Sequence, residues 1–559
     1  MDYSYALFKV VCKIFAAASK DIFLSPTKVH RLKVVVISSY GIGTCNGGEN
    51  VDPDNPPKSF RLVMGSIDSP SPMFVHHVNY FWLRWVDDVN RNGLNILPSY
   101  TDYFNLNTAT LSLNTAALWI GGAIAGLTYG QVTDIIGRRY ALFWAAVATF
   151  LSVILQTAAQ NTAMFVIARI LVGYGTSAST LTGPTYVAET LPYNWRAWGL
   201  GVLNDCYYVG GLIAAGVTYR TATYNSTWAW RVPSLVQGIF SILCIAILPF
   251  VPESPRWLAY VGRTEEALIV IAQTHANGDT SSPIVLAQYK EIIDTIEYER
   301  NVGETLSLKQ MVKTPVARKR VSLAISAAII STISGNVIAS YYLGTMLDNA
   351  GITDTTTQLQ INIILNAWCL CCALVGTYYA DILGRRPTAI ISTSLLTVFL
   401  FIVGALTKVY GTSTNKSGVY GTVAAIFLFQ GAYSFGWTPL LYLYPPEVLN
   451  YPIRANGMGL FTFVLNGVAL LIVFSFPFAQ EAMGWKIYMM NGAWDVLEVG
   501  LIWKYWVETR GKTLEEIDEL FEGTKHSDAP DLERIVQGET QLEEGISDSI
   551  EALASRKSV

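Results

Sequence analysis

Residues 189–196 read E-T-L-P-Y-N-W-R, and residues 447–454 read E-V-L-N-Y-P-I-R. Glutamate, leucine, tyrosine and arginine recur in one register, 258 residues apart. A second repeated element lies upstream of each copy: G-Q-V-T-D-I-I-G-R-R at 130–139 and A-D-I-L-G-R-R at 380–386. All four elements sit between long apolar runs. Two membrane bundles with matching charged inner loops are the plan of a secondary transporter.

The composition agrees with burial in lipid. The 559 residues are 51% hydrophobic and only 14% charged, with mean hydropathy +0.34; a soluble domain carries about 25% charged residues. A net charge of −4 gives no basic bias towards nucleic acid. Most of the seven cysteines lie inside apolar runs and none has metal-ligand spacing to a histidine, so they read as small apolar fillers. No cleavable signal peptide is evident, because Lys9 and Lys13 interrupt the weakly apolar start. No nucleophile–base constellation or phosphate loop appears. A soluble enzyme is excluded on those grounds, and no cofactor or metal is expected.

A membrane span needs about 20 apolar residues. Eleven candidates follow: 112–130, 140–159, 163–187, 198–218, 232–251, 321–346, 359–380, 387–407, 419–443, 457–479 and 486–506. Connections holding Arg138, Arg139, Arg196, Arg256, Arg385, Arg386 and Arg454 are basic; the opposite set holds little beyond Arg220, Lys408, Lys416 and Lys486. The rich side is therefore cytosolic. Sequons at Asn225 and Asn415 fall on the poor side, as an outward face allows. A twelfth span ahead of Leu111 would complete two sixes and bring the N-terminus inside. The sequence there is atypical: 46–71 is rich in Pro, Asp and Ser, and 72–86 carries His76, His77 and Arg84. An arginine at bilayer centre costs about 2.5–3.5 kcal/mol on insertion scales.

The expected architecture is an all-α membrane protein in five parts. These are an N-terminal tail with an atypical first helix (1–110), an N-terminal bundle (111–258), an intracellular helical domain (259–320), a C-terminal bundle (321–506) and a cytosolic tail (507–559). Within the linker, Tyr289, Ile292, Ile293 and Ile296 share one helical face. The tail opens with the helical T-L-E-E-I-D-E-L-F and then becomes acidic.

In the repeated loops, Asp134 suits the N-terminal amides of a neighbouring helix, while Gly130 and Gly137 allow close backbone approach. Arg138 and Arg139 sit at headgroup level, with Glu189 and Glu447 as candidate acceptors and Arg196 and Arg454 completing a cluster in each half. Such pairs are individually weak when solvated. Their use would be geometric, holding the cytosolic ends of the bundles together while the outer side is open. An isolated basic pair reads as a positive-inside anchor; the duplication with aspartates favours the cluster.

From about Asn92 to Phe521 the chain resembles a major facilitator, a sugar porter of the fungal hexose and lactose permease branch. The motifs are the two loops above, P-E-S-P-R-W-L at 252–258, S-G-N-V-I-A-S-Y-Y at 334–342, G-W-T-P-L-L-Y-L-Y-P-P-E at 436–447 and V-E-T-R-G-K-T-L-E-E at 507–516. The resemblance implies a twelve-helix fold of two six-helix bundles, alternating access, a midplane sugar site and cytosolic salt-bridge networks. By motif, that sugar site takes Asn204, Thr332, Asn336, Tyr342, Trp437, Tyr442 and Asn466. Amides donate and accept together, matching sugar hydroxyls, and aromatic faces cover the apolar C–H surface. The cytosolic gate takes Asp134, Arg138, Arg139, Glu189, Arg196, Glu253 and Arg256 in the first half, and Asp381, Arg385, Arg386, Glu447 and Arg454 in the second. Asp87 falls at the aspartate often linked to proton coupling, although Trp85 and Val86 precede it where relatives carry Gly-Tyr. Thr332 and Cys369 stand where relatives commonly carry Gln and Asn, which implies a specificity different from that of hexose carriers. Asp495 and Glu498 are further intramembrane acids.

The expectation is a monomeric plasma-membrane carrier in the lipid bilayer, both termini cytosolic, moving a mono- or disaccharide with a proton. A non-transporting nutrient sensor on the same fold, or an inactive carrier with a defective first helix, are the alternatives.

Overall fold

The structure, a computed structural model, describes residues 98–523 apart from 225, 302–308, 350, 353, 411–414 and 513. The expected first helix and Asp87 lie outside the described residues. Short α1 (Pro98–Tyr103) leads into five long helices: α2 (Thr108–Ile136), α3 (Arg138–Thr157), α4 (Thr162–Thr190), α5 (Tyr193–Thr221) and α6 (Trp228–Ile247). The starts of α2 and α4 are written in the sequence. The Asn107 side chain accepts from the Thr110 amide at 2.9 Å, and that of Asn161 from the Met164 amide at 2.8 Å. Gly137, at φ +89°, ends α2 where no side chain is comfortable.

Three short helices follow: α7 (Pro255–Val261), α8 (Thr264–His275) and α9 (Pro283–Asn301). They close on a small core of their own, in which Leu258 and Ile271 meet Tyr289, Ile292 and Ile296. After α10 (Gln310–Lys313), the span expected at 321–346 is broken into α11 (Pro315–Ile333), α12 (Asn336–Tyr341) and α13 (Leu343–Asn349). The break falls at Gly335, whose φ of +90° takes the chain out of helix. Apolarity alone carried no sign of it. The second half continues with α14 (Thr355–Leu383), α15 (Arg385–Tyr410), α16 (Lys416–Val448), α17 (Tyr451–Met483) and α18 (Lys486–Tyr505). Among the described residues, nine helices are long and apolar enough to cross a membrane. The broken segment and α18, which carries Asp495 and Glu498, account for the other two expected spans.

The two halves meet along α2 against α17 and α5 against α14. Small residues make the first contact possible: a Cβ at Gly126 would stand 2.4 Å from the Phe463 amide nitrogen, and one at Gly459 2.7 Å from the Gly126 carbonyl.

Finally α19 (Leu514–Glu522) docks against the start of α11. Arg320, buried to 1% exposure, donates to Asp518 at 2.5 Å and to Glu522 at 3.1 Å, and lies over the Phe521 ring. Removing one partner of a buried pair strands the other charge. Asp518→Ala is expected to cost about 3 kcal/mol and to lower the apparent melting temperature in detergent, whereas Glu522→Gln, at the wetter edge, costs less than about 1 kcal/mol.

His275 gives the small domain an acid limit. Burial pushes its imidazole down to about 4, and the charges of Arg196 and Arg256 act in the same direction. A folded-state value below the unfolded one means that the stability is present above about pH 6.5 and lost as pH falls towards 4. Thermal unfolding between pH 7 and pH 4 is expected to show that loss, and His275→Asn to flatten it.

Candidate functional site

The duplicated loops build two copies of one charged arrangement. In the first half, α2 ends at Gly137 and α3 begins at once, so the free amides at the start of α3 face the P-E-S-P-R segment. The Glu253 carboxylate accepts from the Arg138 amide at 2.9 Å and from the Arg139 amide at 3.0 Å, a helix N-terminus neutralised by an anion. Burial raises the Glu253 carboxyl from its ordinary value, opposed by the amides it accepts from. In the second half α14 ends at Gly384, at φ +95°. There Glu508 accepts from the Arg385 amide at 2.8 Å and the Arg386 amide at 3.0 Å. Sequence reasoning did not single out Glu508. Its signal was present, since V-E-T-R follows the last span as P-E-S-P-R follows the sixth.

The arginine side chains turn inward from those anchored amides. Arg138 pairs with Glu189 at 3.0 Å and with Asp134 at 3.5 Å. Arg385 pairs with Glu447 at 2.9 Å and Asp381 at 3.0 Å. Glu189 also meets Arg454 of the second half at 3.4 Å and accepts from Ser254 Oγ at 2.5 Å. A second bridge between the halves runs from Asn456 Nδ2 to Asp134 at 3.1 Å, and the Arg138 guanidinium lies 5.3 Å from the Tyr451 ring centroid. Arg196 and Arg256 are both buried, and their charges reach His275. Arg139 donates to the Val251 carbonyl at 3.0 Å, and Arg386 to the Trp503 carbonyl. On this face, then, the halves are tied together.

Between the halves lies a cavity of about 760 Å³, counted out to its open mouth. Asn204, Thr332, Asn336, Tyr442 and Asn466 all line it. Asn204 donates from Nδ2 to the Thr438 carbonyl across the seam, and its Oδ1 has no partner among the described residues. Asn466 donates to the Thr462 carbonyl at 2.7 Å and accepts from Ser177 Oγ at 3.5 Å.

Two expected residues stand elsewhere. Trp437 is fully buried, donates to Thr393 Oγ1 at 3.0 Å and packs edge-on against Trp506. Tyr342 donates to the Val473 carbonyl at 2.6 Å and packs beside Phe476. In their place Trp119 and Tyr341 meet with ring centroids 5.5 Å apart at the cavity wall. Ser177 and Thr180 of α4, with Tyr207, Tyr208 and Thr438, add a hydroxyl lining that sequence reasoning missed. The run G-T-S-A-S-T-L-T at 175–182 was the available sign, a hydroxyl-rich stretch inside an apolar span.

The family described as Sugar (and other) transporter matches residues 63–521. The chain is 27% identical over 442 residues to a high-affinity glucose transporter of Kluyveromyces lactis, covering 76% of this chain and 79% of that protein. It is 28% identical over 468 residues to the MFS glucose transporter mfs1 of Aspergillus flavus, covering 78% and 86%. Among solved structures, the proton:xylose symporter XylE bound to 6-bromo-6-deoxy-D-glucose superposes with a TM-score of 0.71 at 22% identity, over 80% of this chain and 98% of that one. The fold is thus that of the major facilitators, all-α and multi-pass.

Glu189→Gln keeps the shape of the central carboxylate and removes its charge. It leaves Arg138 and Arg454 underpaired, an expected loss of about 3 kcal/mol or more. Labelling of a cysteine introduced at Asn456 from the face carrying these loops is expected to rise in that variant. Unchanged labelling would show that Glu189 does not hold the halves together.

Proposed function

This chain belongs to the sugar (and other) transporter family, and on that premise we propose that it carries a mono- or disaccharide across the plasma membrane by alternating access, in symport with a proton. The observation that supports this most is the cavity itself. It lies between two pseudo-repeated bundles, and its lining combines the amides Asn204, Asn336 and Asn466 with hydroxyls and the faces of Trp119, Tyr341 and Tyr442. A sugar needs both: paired donors and acceptors for its hydroxyls, and flat apolar cover for its C–H faces. Kinship with proteins named as glucose transporters and fold likeness to one named as a proton:xylose symporter point the same way.

In this reading Asn204, Thr332, Asn336, Tyr442 and Asn466 contact the sugar, while Trp437 and Tyr342 support the wall from behind. The two arginine–glutamate clusters serve as the cytosolic gate, closed in the state described and parting when the cavity turns inward. The five-part division given above, with a cytosolic helical domain and cytosolic termini around two bundles, completes the proposal, as does a single polypeptide acting alone in the bilayer.

Uptake of labelled sugars into vesicles holding the full chain, across a panel of hexoses, pentoses and disaccharides at two pH values, is the direct test. Asn336→Ala and Asn466→Ala are each expected to raise the half-saturating concentration about tenfold, the cost of leaving a sugar hydroxyl unpaired. Binding without flux would favour a sensor. Neither binding nor flux for any sugar, in correctly inserted protein, would overturn the reading.

A further inference from the structure

The residue after Asn204 is an aspartate that the gate does not use. Asp205 lies on α5, on the surface that meets α14, and is 1% exposed. Its Oδ2 accepts from Thr377 Oγ1 of α14 at 2.7 Å, and its Oδ1 has no partner among the described residues. Thr377 stands six residues before the end of α14 at Leu383, so the contact falls on the side of the cavity nearer the charged loops.

This carboxyl differs from the buried acids of the gate. Glu189 faces Arg138 and Arg454, and Glu447 faces Arg385. The charged groups on helices packed against α5 are engaged otherwise. Asp381 of α14 and Glu447 of α16 share Arg385; Arg231 of α6 donates to the Ala159 carbonyl; Arg169 of α4 lies by the Phe165 ring and Tyr100. Of the neighbours that lose protons only in base, Tyr208 on the same helix bonds to Ser434 and Thr438, and the Cys369 thiol of α14 is buried. None of these groups bonds to Asp205. A charge there would have no counter-ion among the described residues, which a dry seam between helices tolerates poorly; a neutral carboxyl is an ordinary hydrogen-bonding group.

Resting on the transport reading above, we propose that Asp205 is a proton-binding site in the seam between α5 and α14, and that it couples proton movement to sugar movement. With the seam closed, the O–H bond is intact and the neutral carboxyl packs against Thr377. When the bundles part on the cytosolic side, water reaches the carboxyl, the O–H bond breaks and the proton passes to cytosolic water. The emptied carrier turns outward with the carboxyl charged and hydrated, and a proton taken up from the outer solution restores the O–H bond before the sugar-loaded bundles pack on it again. The coupling follows from the packing: the sugar-loaded seam packs dry against Thr377 only on a neutral carboxyl.

The test uses the full chain in vesicles and two assays, exchange of labelled sugar without a gradient and sugar-driven alkalinisation. Asp205→Asn, a permanent mimic of the neutral carboxyl, is expected to retain exchange while alkalinisation and gradient-driven accumulation fall at least about tenfold. Thr377→Val, which removes the bond to the carboxyl, is expected to displace the pH midpoint of uptake by about half a unit or more. Alkalinisation per sugar at the wild-type level in Asp205→Asn overturns the proposal, as does its retention there together with its loss in Asp87→Asn. If Asp205→Asn does not fold, an unshifted pH midpoint in Thr377→Val overturns it. A wild type that exchanges sugar without moving protons removes the coupling and leaves the carrier standing; a wild type that exchanges no sugar removes both.

Discussion

One carboxylate is held by arginines of both halves. Glu189 lies at the end of α4 with no exposed side-chain surface, held by Arg138 from its own half and Arg454 from the other. Removing such a group from water is expensive unless its lone pairs are satisfied, and then it is unforgiving of any change in geometry. That intolerance positions the surrounding structure. Arg138 can reach Glu189 because its own amide is fixed by Glu253, and that amide is free because α2 stops at Gly137. The charge, the cap and the glycine form one device.

The cavity depends on the same closure from the other direction. With the loops tied, α2 meets α17, and α5 meets α14 and α16 closely enough for the Asn204 amide to reach the Thr438 carbonyl on α16. The lining residues come from both halves, so the site exists as a single surface only while the halves are held in register. Any parting of the halves at one end rearranges that lining.

The sequence showed the long helices because apolar runs of sufficient length leave few alternatives, and it showed the charged loops because duplication marks residues that composition would dismiss. Lining was harder to read. A helix apolar on every face gives no moment to say which side chain points inward, so Trp437 and Tyr342 stand behind the cavity wall, while Ser177 and Thr180 line it. Asp205 escaped notice for a related reason. It sits beside a residue that the family resemblance singled out, and only the packing of α14 shows that its carboxyl meets a threonine and, among the described residues, no counter-charge. Gly335 likewise looked like one glycine among many until its positive φ broke the span.

The pairing of Glu253 with Glu508 carries a lesson about ancestry. Each glutamate lies just beyond the last helix of its half and caps the helix that follows the arginine loop, and the two are 255 residues apart. The unit that repeats therefore runs past the last helix of each half as far as this glutamate, so that each loop has its anion from its own half.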